Sequence, residues 1–345
     1  MELWQRLKNA KKPIVLYGMG NGADRILDVL NEMGVEVQGV FASDGFVRHQ
    51  NFRGFMVCSY QELQQQFGEM MVLVAFGTQR PEVLDNIKKI ASEQELYVPD
   101  IPVAGDTLFD ETFVKEHLPF FKKVFEMLSD DFSKVVYENI IKGKLTGEPR
   151  YLYAAESDPE EAWRLLKLQS NEVYLDLGAY TGDTVLDFIK ETVDYERIIA
   201  VEPDRKNYKK CVENLRDYPR IEIYHGCIDE KQGEQRFLMD GGRKSAVLSE
   251  GGVAVSSYTV DEILSGRRVS YIKMDVEGME RKAILGAKES IARYRPKILI
   301  SAYHRPEDLY DLPLLVDSIA AGGKLYIRHF PYLPAWDTNF YFNFD

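Results

Sequence analysis

Cysteine is scarce, with only Cys58, Cys211 and Cys227 among 345 residues. An odd, widely spaced set supplies neither a disulfide framework nor the paired spacing of a zinc site. No run approaches the about 18 apolar residues of a membrane span, and no basic-apolar leader opens the chain, so a cytoplasmic protein with no membrane span is expected. Positive charge is also short. Lys and Arg number 43 against 55 Asp and Glu, a formal charge of −12, with no basic stripe to offset it. Phosphate neutralisation dominates nucleic-acid binding, so nucleic acid is excluded as an expected partner. What remains, 45% apolar and 28% charged residues, is the composition of a globular protein, long enough for two domains.

The stretch Tyr174-Leu175-Asp176-Leu177-Gly178-Ala179-Tyr180-Thr181-Gly182-Asp183-Thr184 reads as a buried strand, a glycine loop and a helix start. A second strand follows and ends in Val201-Glu202-Pro203-Asp204. That is the arrangement that cradles an adenosine-containing cofactor, with an acid some 20 residues past the loop to accept ribose hydroxyls. Asp176 is informative, because a carboxylate inside an apolar run is costly unless it meets a ligand or donors. Gly178 and Gly182 allow a tight turn, while Thr181, Asp183 and Thr184 can cap the helix. The loop has no P-loop lysine, and it sets acids where a pyrophosphate would lie. A cofactor with a positive centre suits it better than a dinucleotide, and S-adenosylmethionine, a sulfonium, is such a cofactor.

Around this stretch the pattern predicts an α/β protein in three parts, 1–105, 106–170 and 171–345. The first part has a lead-in helix over 1–10 and a strand at 13–17. It then opens on Gly18-Met19-Gly20-Asn21-Gly22-Ala23, a GxGxxA form of the dinucleotide fingerprint. Those glycines either pack a helix on a strand or mark a nucleotide site. Ser43-Asp44 stands where a ribose-binding acid would. Strands at 35–41, 71–76 and 96–98 and a helix opened by Pro81 complete a Rossmann-like unit. From 106 to about 168 the spacing is helical, with a stripe of Phe120, Phe121, Val124, Phe125 and Leu128 read as packing between domains. Gly143, Gly147 and Pro149 are read as helix breaks, and Tyr151-Leu152-Tyr153 as a short extended piece.

The third part reads as a doubly wound sheet with ligands at its carboxyl-end crevice. Strands are expected at 234–239 and 252–258 around a glycine-rich loop, and at 271–278, where alternation would put Lys273, Asp275 and Glu277 on one side. Another, over 297–302, ends in Tyr303-His304, and an antiparallel pair at 324–329 and 338–342 closes the sheet. His304 falls where its strand and that of Asp275 open on one crevice, so it is a candidate to take the acceptor's proton or to hold the acceptor hydroxyl in line, with Asp275 or Glu277 orienting it. The rival is a structural histidine bonded to the helix start at Glu307 and Asp308, with His329 a weaker alternative base.

These residues resemble the FkbM-type methyltransferases, within the class I S-adenosylmethionine-dependent fold. The resemblance is carried by the loop at 175–184, by Val201-Glu202-Pro203-Asp204, and above all by Ile272-Lys273-Met274-Asp275-Val276-Glu277-Gly278-Met279-Glu280 with Leu285-Gly286-Ala287. Tyr303-His304-Arg305-Pro306-Glu307-Asp308-Leu309 resembles the family's later segment. The resemblance implies methyl transfer from S-adenosylmethionine to oxygen, commonly on sugars or natural products, so the partner is a small-molecule acceptor such as a sugar or nucleotide-sugar. It implies that Asp176, Gly178, Ala179, Tyr180, Thr181, Gly182, Asp183 and Thr184 surround the methionine part and that Glu202 holds the ribose. Pro203, Asp204, Cys227 and Ile228 would border the adenine, and Asp275 and Glu277 would face the methyl group. Two other functions compete: an NAD(P)-dependent oxidoreductase working through Gly18 to Ala23, and a nucleotide-binding module beside an inactive transferase domain.

Overall fold

The computed structural model of the chain describes residues 1–238, 246–247 and 253–345. All of the expected glycine-rich loop at 240–252 except Ala246–Val247 lies outside the described residues, as do the ends of its flanking strands at Met239 and Gly252.

In the first part Ile14–Tyr17 is buried at every position, as a strand covered on both faces must be. It is central to a sheet ordered Asn51–Phe52, Phe55–Cys58, Gly39–Phe41, Ile14–Tyr17, Met71–Val74, Glu95–Tyr97. All pairings are parallel except that of the first two strands. The expected strand over 35–41 is shorter, Gly39–Phe41. The polar and aromatic stretch 46–60 holds a hairpin whose longer strand is only half buried.

The connector is four helices, Glu111–Met127, Asp131–Thr146, Pro149–Ala155 and Pro159–Leu166. Tyr151 to Tyr153 is helical and not extended, because Pro149 starts the helix and Leu152 and Ala155 face inward three residues apart. Gly143 does not break its helix. A Cβ there would come within 2.7 Å of the Leu152 side chain, so its hydrogen lets the two helices approach. Gly147, at φ +66°, ends that helix. In the aromatic stripe Phe121, Val124 and Leu128 are buried, whereas Phe120 is 48% exposed. Phe121 meets Tyr310 edge-on at 5.2 Å, so the stripe packs on helix Asp308–Ile319 of the third part. Arg328, fully buried, holds Asp130 at 2.8 Å and Glu161 at 3.0 Å and so fixes the connector to strand Lys324–His329. One apolar cluster runs through all three parts, from Val72 and Ile87 through Phe121 and Val136 to Ile272 and Ile300.

The main sheet of the third part is ordered Lys324–His329, Thr338–Asn343, Lys297–Ser301, Tyr271–Met274, Glu172–Leu177, Tyr195–Glu202, Ile221–His225. Thr338–Asn343 is antiparallel to both neighbours and every other pairing is parallel. The closing antiparallel pair is therefore as expected. From Glu172–Leu177 the chain builds first to one side and then to the other, so the topological switch lies at the end of that strand. Cys227–Ile228, Val253–Tyr258, Gly233–Leu238 and Ala246–Val247 form a separate small sheet that the sequence pattern did not separate from the main one.

Candidate active site

The glycine loop is fixed by backbone contacts at the switch point. Gly178 and Ala179 both donate to the Val201 carbonyl at 3.0 Å, and Asp275 donates to Leu177 at 3.0 Å. Gly178 has φ +84°, and a Cβ there would run into the Asp275 carbonyl oxygen, so only glycine fits between the two strand ends. Tyr180, a non-glycine residue at φ +48°, holds a conformation that persists only when its surroundings impose it. The constraint is visible: its N–H donates to Glu202 Oε2 at 2.8 Å, while the Asp204 N–H donates to Oε1 at 2.8 Å. Glu202 is only 5% exposed, and burial pushes it up to about 7 against those two bonds.

Other expected loop residues have inward roles. Asp176, fully buried, meets donors of the chain itself: Lys273 Nζ at 3.0 Å and the Thr184 hydroxyl. Burial opposes the charge on Lys273, but Asp176 and Asp275 outweigh it and the ammonium is held upward. Thr184 is thus no cap. Helix Asp183–Glu191 starts at Gly182 with no side-chain cap, Asp183 is an exposed acid in its first turn, and Thr181 uses its carbonyl to accept from Asn214 at 2.9 Å. Asp204 caps helix Arg205–Leu215 through the N–H groups of Lys206 and Asn207, beside half-buried Pro203. Cys227 and Ile228 are buried, with the thiol pushed up to about 12 by burial. The Gly226 N–H donates to the Glu202 carbonyl at 3.2 Å, which brings that segment alongside the loop.

The expected trio of Lys273, Asp275 and Glu277 divides. The strand stops at Met274, Glu277 sits at φ +55° and Gly278 at φ +89°, so alternation no longer applies beyond Lys273. Asp275 and Glu277 instead gather about His304. Its Nε2 is 3.5 Å from Asp275 Oδ1 and 3.7 Å from Glu277 Oε2, and its Nδ1 is 3.0 Å from Glu280 Oε1. The Asp275 and Glu277 side chains are about a third exposed, at 32% and 31%, whereas His304 is fully enclosed. Burial disfavours the imidazolium, but Glu280, then Asp275 and Glu277, more than offset it and hold His304 up to about 10. Burial likewise raises Glu277 to about 7. The Tyr303 hydroxyl donates to Asp275 Oδ1 at 3.1 Å.

The acids at the following helix matter differently from the rival reading: Asp308 accepts from the Arg305 N–H at 2.8 Å, and the carboxylate on the His304 ring is Glu280. Glu280 was missed. Its signal was an acid in the first turn of an otherwise inward-facing helix, Glu280–Gly286. His329 is buried, bonded to the Thr338 hydroxyl at 3.0 Å and pushed down to about 3 by burial, which leaves it a neutral structural residue.

The first part reaches this crevice through a strap at 102–105. Arg25 grips the carbonyls of Pro102, Val103 and Gly105, and the Ala104 N–H donates to the His304 carbonyl at 2.9 Å. A Cβ on Gly278 would meet that of Ala104 at 2.5 Å. Thr78 and Leu333 exchange backbone bonds at 2.8 and 2.9 Å, tying the same part to the loop at 330–337. Its own glycines do other work. A Cβ on Gly22 would strike the Ala75 carbonyl and one on Gly18 would meet the Phe76 ring at 2.7 Å, so of the three fingerprint glycines Gly20 alone faces open space. Ser43 spends its hydroxyl on Tyr17 at 2.6 Å, and the Asp44 side chain lies outside the described residues.

The strand order, with its antiparallel strand inserted near one edge, and the glycine loop at the switch point define a class I methyltransferase fold. Residues 176–322 match the model of the methyltransferase FkbM domain. Methyltransferase FkbM from Methylobacillus flagellatus KT aligns over 96% of this chain and 90% of its own, with a TM-score of 0.73 at 23% identity. The fold, first part included, is therefore shared with that structure. Aeropyrum pernix fibrillarin in complex with natively bound S-adenosyl-L-methionine aligns over 53% of this chain and 74% of its own, with a TM-score of 0.33 at 15% identity. No curated protein matches. Among the described residues no helix is long and apolar enough to cross a membrane.

Proposed function

We propose that the chain transfers a methyl group from S-adenosylmethionine to a hydroxyl of a small molecule in the cytoplasm, with a sugar, nucleotide-sugar or natural product as acceptor. The observation that carries this reading is the position of the loop at 177–182, wedged between Glu202 on one strand end and Asp275 on another. A carboxylate has about four lone-pair sites, so Glu202, though bonded to two N–H groups, retains capacity for ribose hydroxyls. Tyr180 to Thr184, Pro203, Asp204, Cys227 and Ile228 are the surrounding residues of that cofactor site. The cofactor would supply an electrophilic methyl on a positive sulfur, which suits an acid-lined crevice.

A sugar hydroxyl is a weak nucleophile and must be aligned and relieved of its proton as the bond forms. Asp275 and Glu277 are the partly open groups suited to receive that proton. His304, enclosed beside both carboxylates, is a positioning residue that does not itself meet the acceptor. The segments 1–105, 106–170 and 171–345 are the proposed domains. The first, through its strap at 102–105, shapes the acceptor crevice and performs no redox chemistry. The deciding experiment incubates the full chain with S-adenosylmethionine and a panel of sugars, nucleotide-sugars and phenols. A product heavier by one methyl group on oxygen supports the reading, and NADH turnover with the same panel and no methylated product contradicts it.

A further inference from the structure

The geometry points to a divalent-cation site formed by Asp275, Glu280 and His304 at the floor of the acceptor crevice. One ligand atom from each lies within 4.8 Å of the other two. An acidic cluster alone would mean little, but His304 adds an independent observation. It is fully buried and aimed into the cluster, yet neither ring nitrogen has a hydrogen-bond partner, and Glu280 Oε2 has none either. Enclosed polar atoms without partners are costly. The 3.0 Å approach of Nδ1 to Glu280 and the 3.5 Å approach of Nε2 to Asp275 are close but are not hydrogen bonds. The 3.0 Å between Nδ1 and Glu280 is the spacing of two ligands on one cation, which at about 2.0 to 2.2 Å from the ion stand about 3 to 3.5 Å from one another.

Nδ1 can bind the ion beside Glu280 while Nε2 faces Glu277, a carboxylate that orients the ring. Charge points the same way. Asp275, Glu277 and Glu280 surround one imidazole, with Asp308 just behind Glu280, and the nearby Lys273 is spent on Asp176. A dication offsets that excess better than a single proton on His304. The mixed carboxylate and imidazole set suits Mn2+, Fe2+ or Zn2+, and the third-exposed side chain of Asp275 leaves a way in.

This inference does not rest on methyl transfer, because it is read by binding alone. The full chain, stripped with chelator, is titrated with Mn2+ and separately with Zn2+ at neutral pH, free Mn2+ being followed by electron paramagnetic resonance and Zn2+ by calorimetry. Saturable binding of roughly one ion per chain is expected, weakened about 10- to 100-fold in Glu280→Gln and in His304→Gln. Since those two are buried, Asp275→Asn, at a half-open position, is the control that keeps its fold, and it must weaken binding to a like extent. No saturable binding of either ion would overturn the inference, as would wild-type affinity in Asp275→Asn.

Discussion

The chain contains two glycine loops at the ends of two central parallel strands, and they have opposite fates. At Gly18 to Ala23 two of the three glycines are taken up by packing, Gly22 against the Ala75 carbonyl and Gly18 against the Phe76 ring, and Ser43 is bound to Tyr17. The cleft of that domain, walled by Phe41, Ser43, Tyr60, Arg80 and Asn86, is lined by none of the three glycines. At Gly178 to Gly182 the loop is held open by a carboxylate, Glu202, that grips the Tyr180 N–H. The two loops differ in glycine spacing, Gly18-x-Gly20-x-Gly22 against Gly178-x-x-x-Gly182. The second is also tied to the acid that closes the next strand, Glu202, through the Tyr180 N–H.

That contrast can be broken at several points, with the largest effect expected in the chemistry. Asp275→Asn should lower methyl transfer by about 100- to 10,000-fold, the usual loss when a proton acceptor is removed, with cofactor affinity little changed. Ser43→Ala in the first domain should leave turnover near wild type, and steady-state kinetics on both variants checks this. Next comes Gly178→Ala, whose Cβ has no room beside the Asp275 carbonyl at φ +84°. Affinity for S-adenosylhomocysteine should fall on the order of 100-fold, or ~3 kcal/mol, as read by calorimetry.

Glu202→Gln should weaken the same ligand by about 1 to 3 kcal/mol through lost charge-assisted bonds. Its pH dependence sharpens the point. Burial raises Glu202 from the ordinary 4.5 to about 7, so its contribution to stability is complete below the ordinary value and is lost as pH rises through about 7. Melting of the ligand-free chain should therefore decline from about pH 5 to about pH 8 more steeply than in Glu202→Gln. Ribose hydroxyls donate to the ionised form, so ligand affinity should rise over that same window in the wild type and stay flat in the variant. The smallest effect is expected at the first loop, where Gly22→Ala should cost about 1 to 3 kcal/mol of stability by overpacking and leave ligand affinity unchanged.

The glycine loop, the acid at Glu202 and the closing antiparallel pair were legible because each is local, set by a short pattern of residue types. Pairings across the sheet were not. Asp176 was expected to meet a ligand or donors, and that one donor is Lys273, 97 residues on, follows only from the register of two parallel strands. The turn at Glu277 was hidden for another reason, since a non-glycine residue at positive φ has no composition signal. The enclosed position of His304 depends on Glu280 from one helix and on a strap from the first domain, none of it readable from the residues beside His304. Tyr151 to Tyr153 misled because aromatic residues favour strands, while burial of one helical face overrode that preference.

The central claim is that the second loop holds the cofactor and the first holds none. Calorimetry of the full chain with S-adenosylhomocysteine and, separately, with NADH tests it most directly. The account predicts micromolar binding of S-adenosylhomocysteine, abolished or strongly weakened in Glu202→Ala, and no heat with NADH. Tight NADH binding with no response to S-adenosylhomocysteine would contradict it.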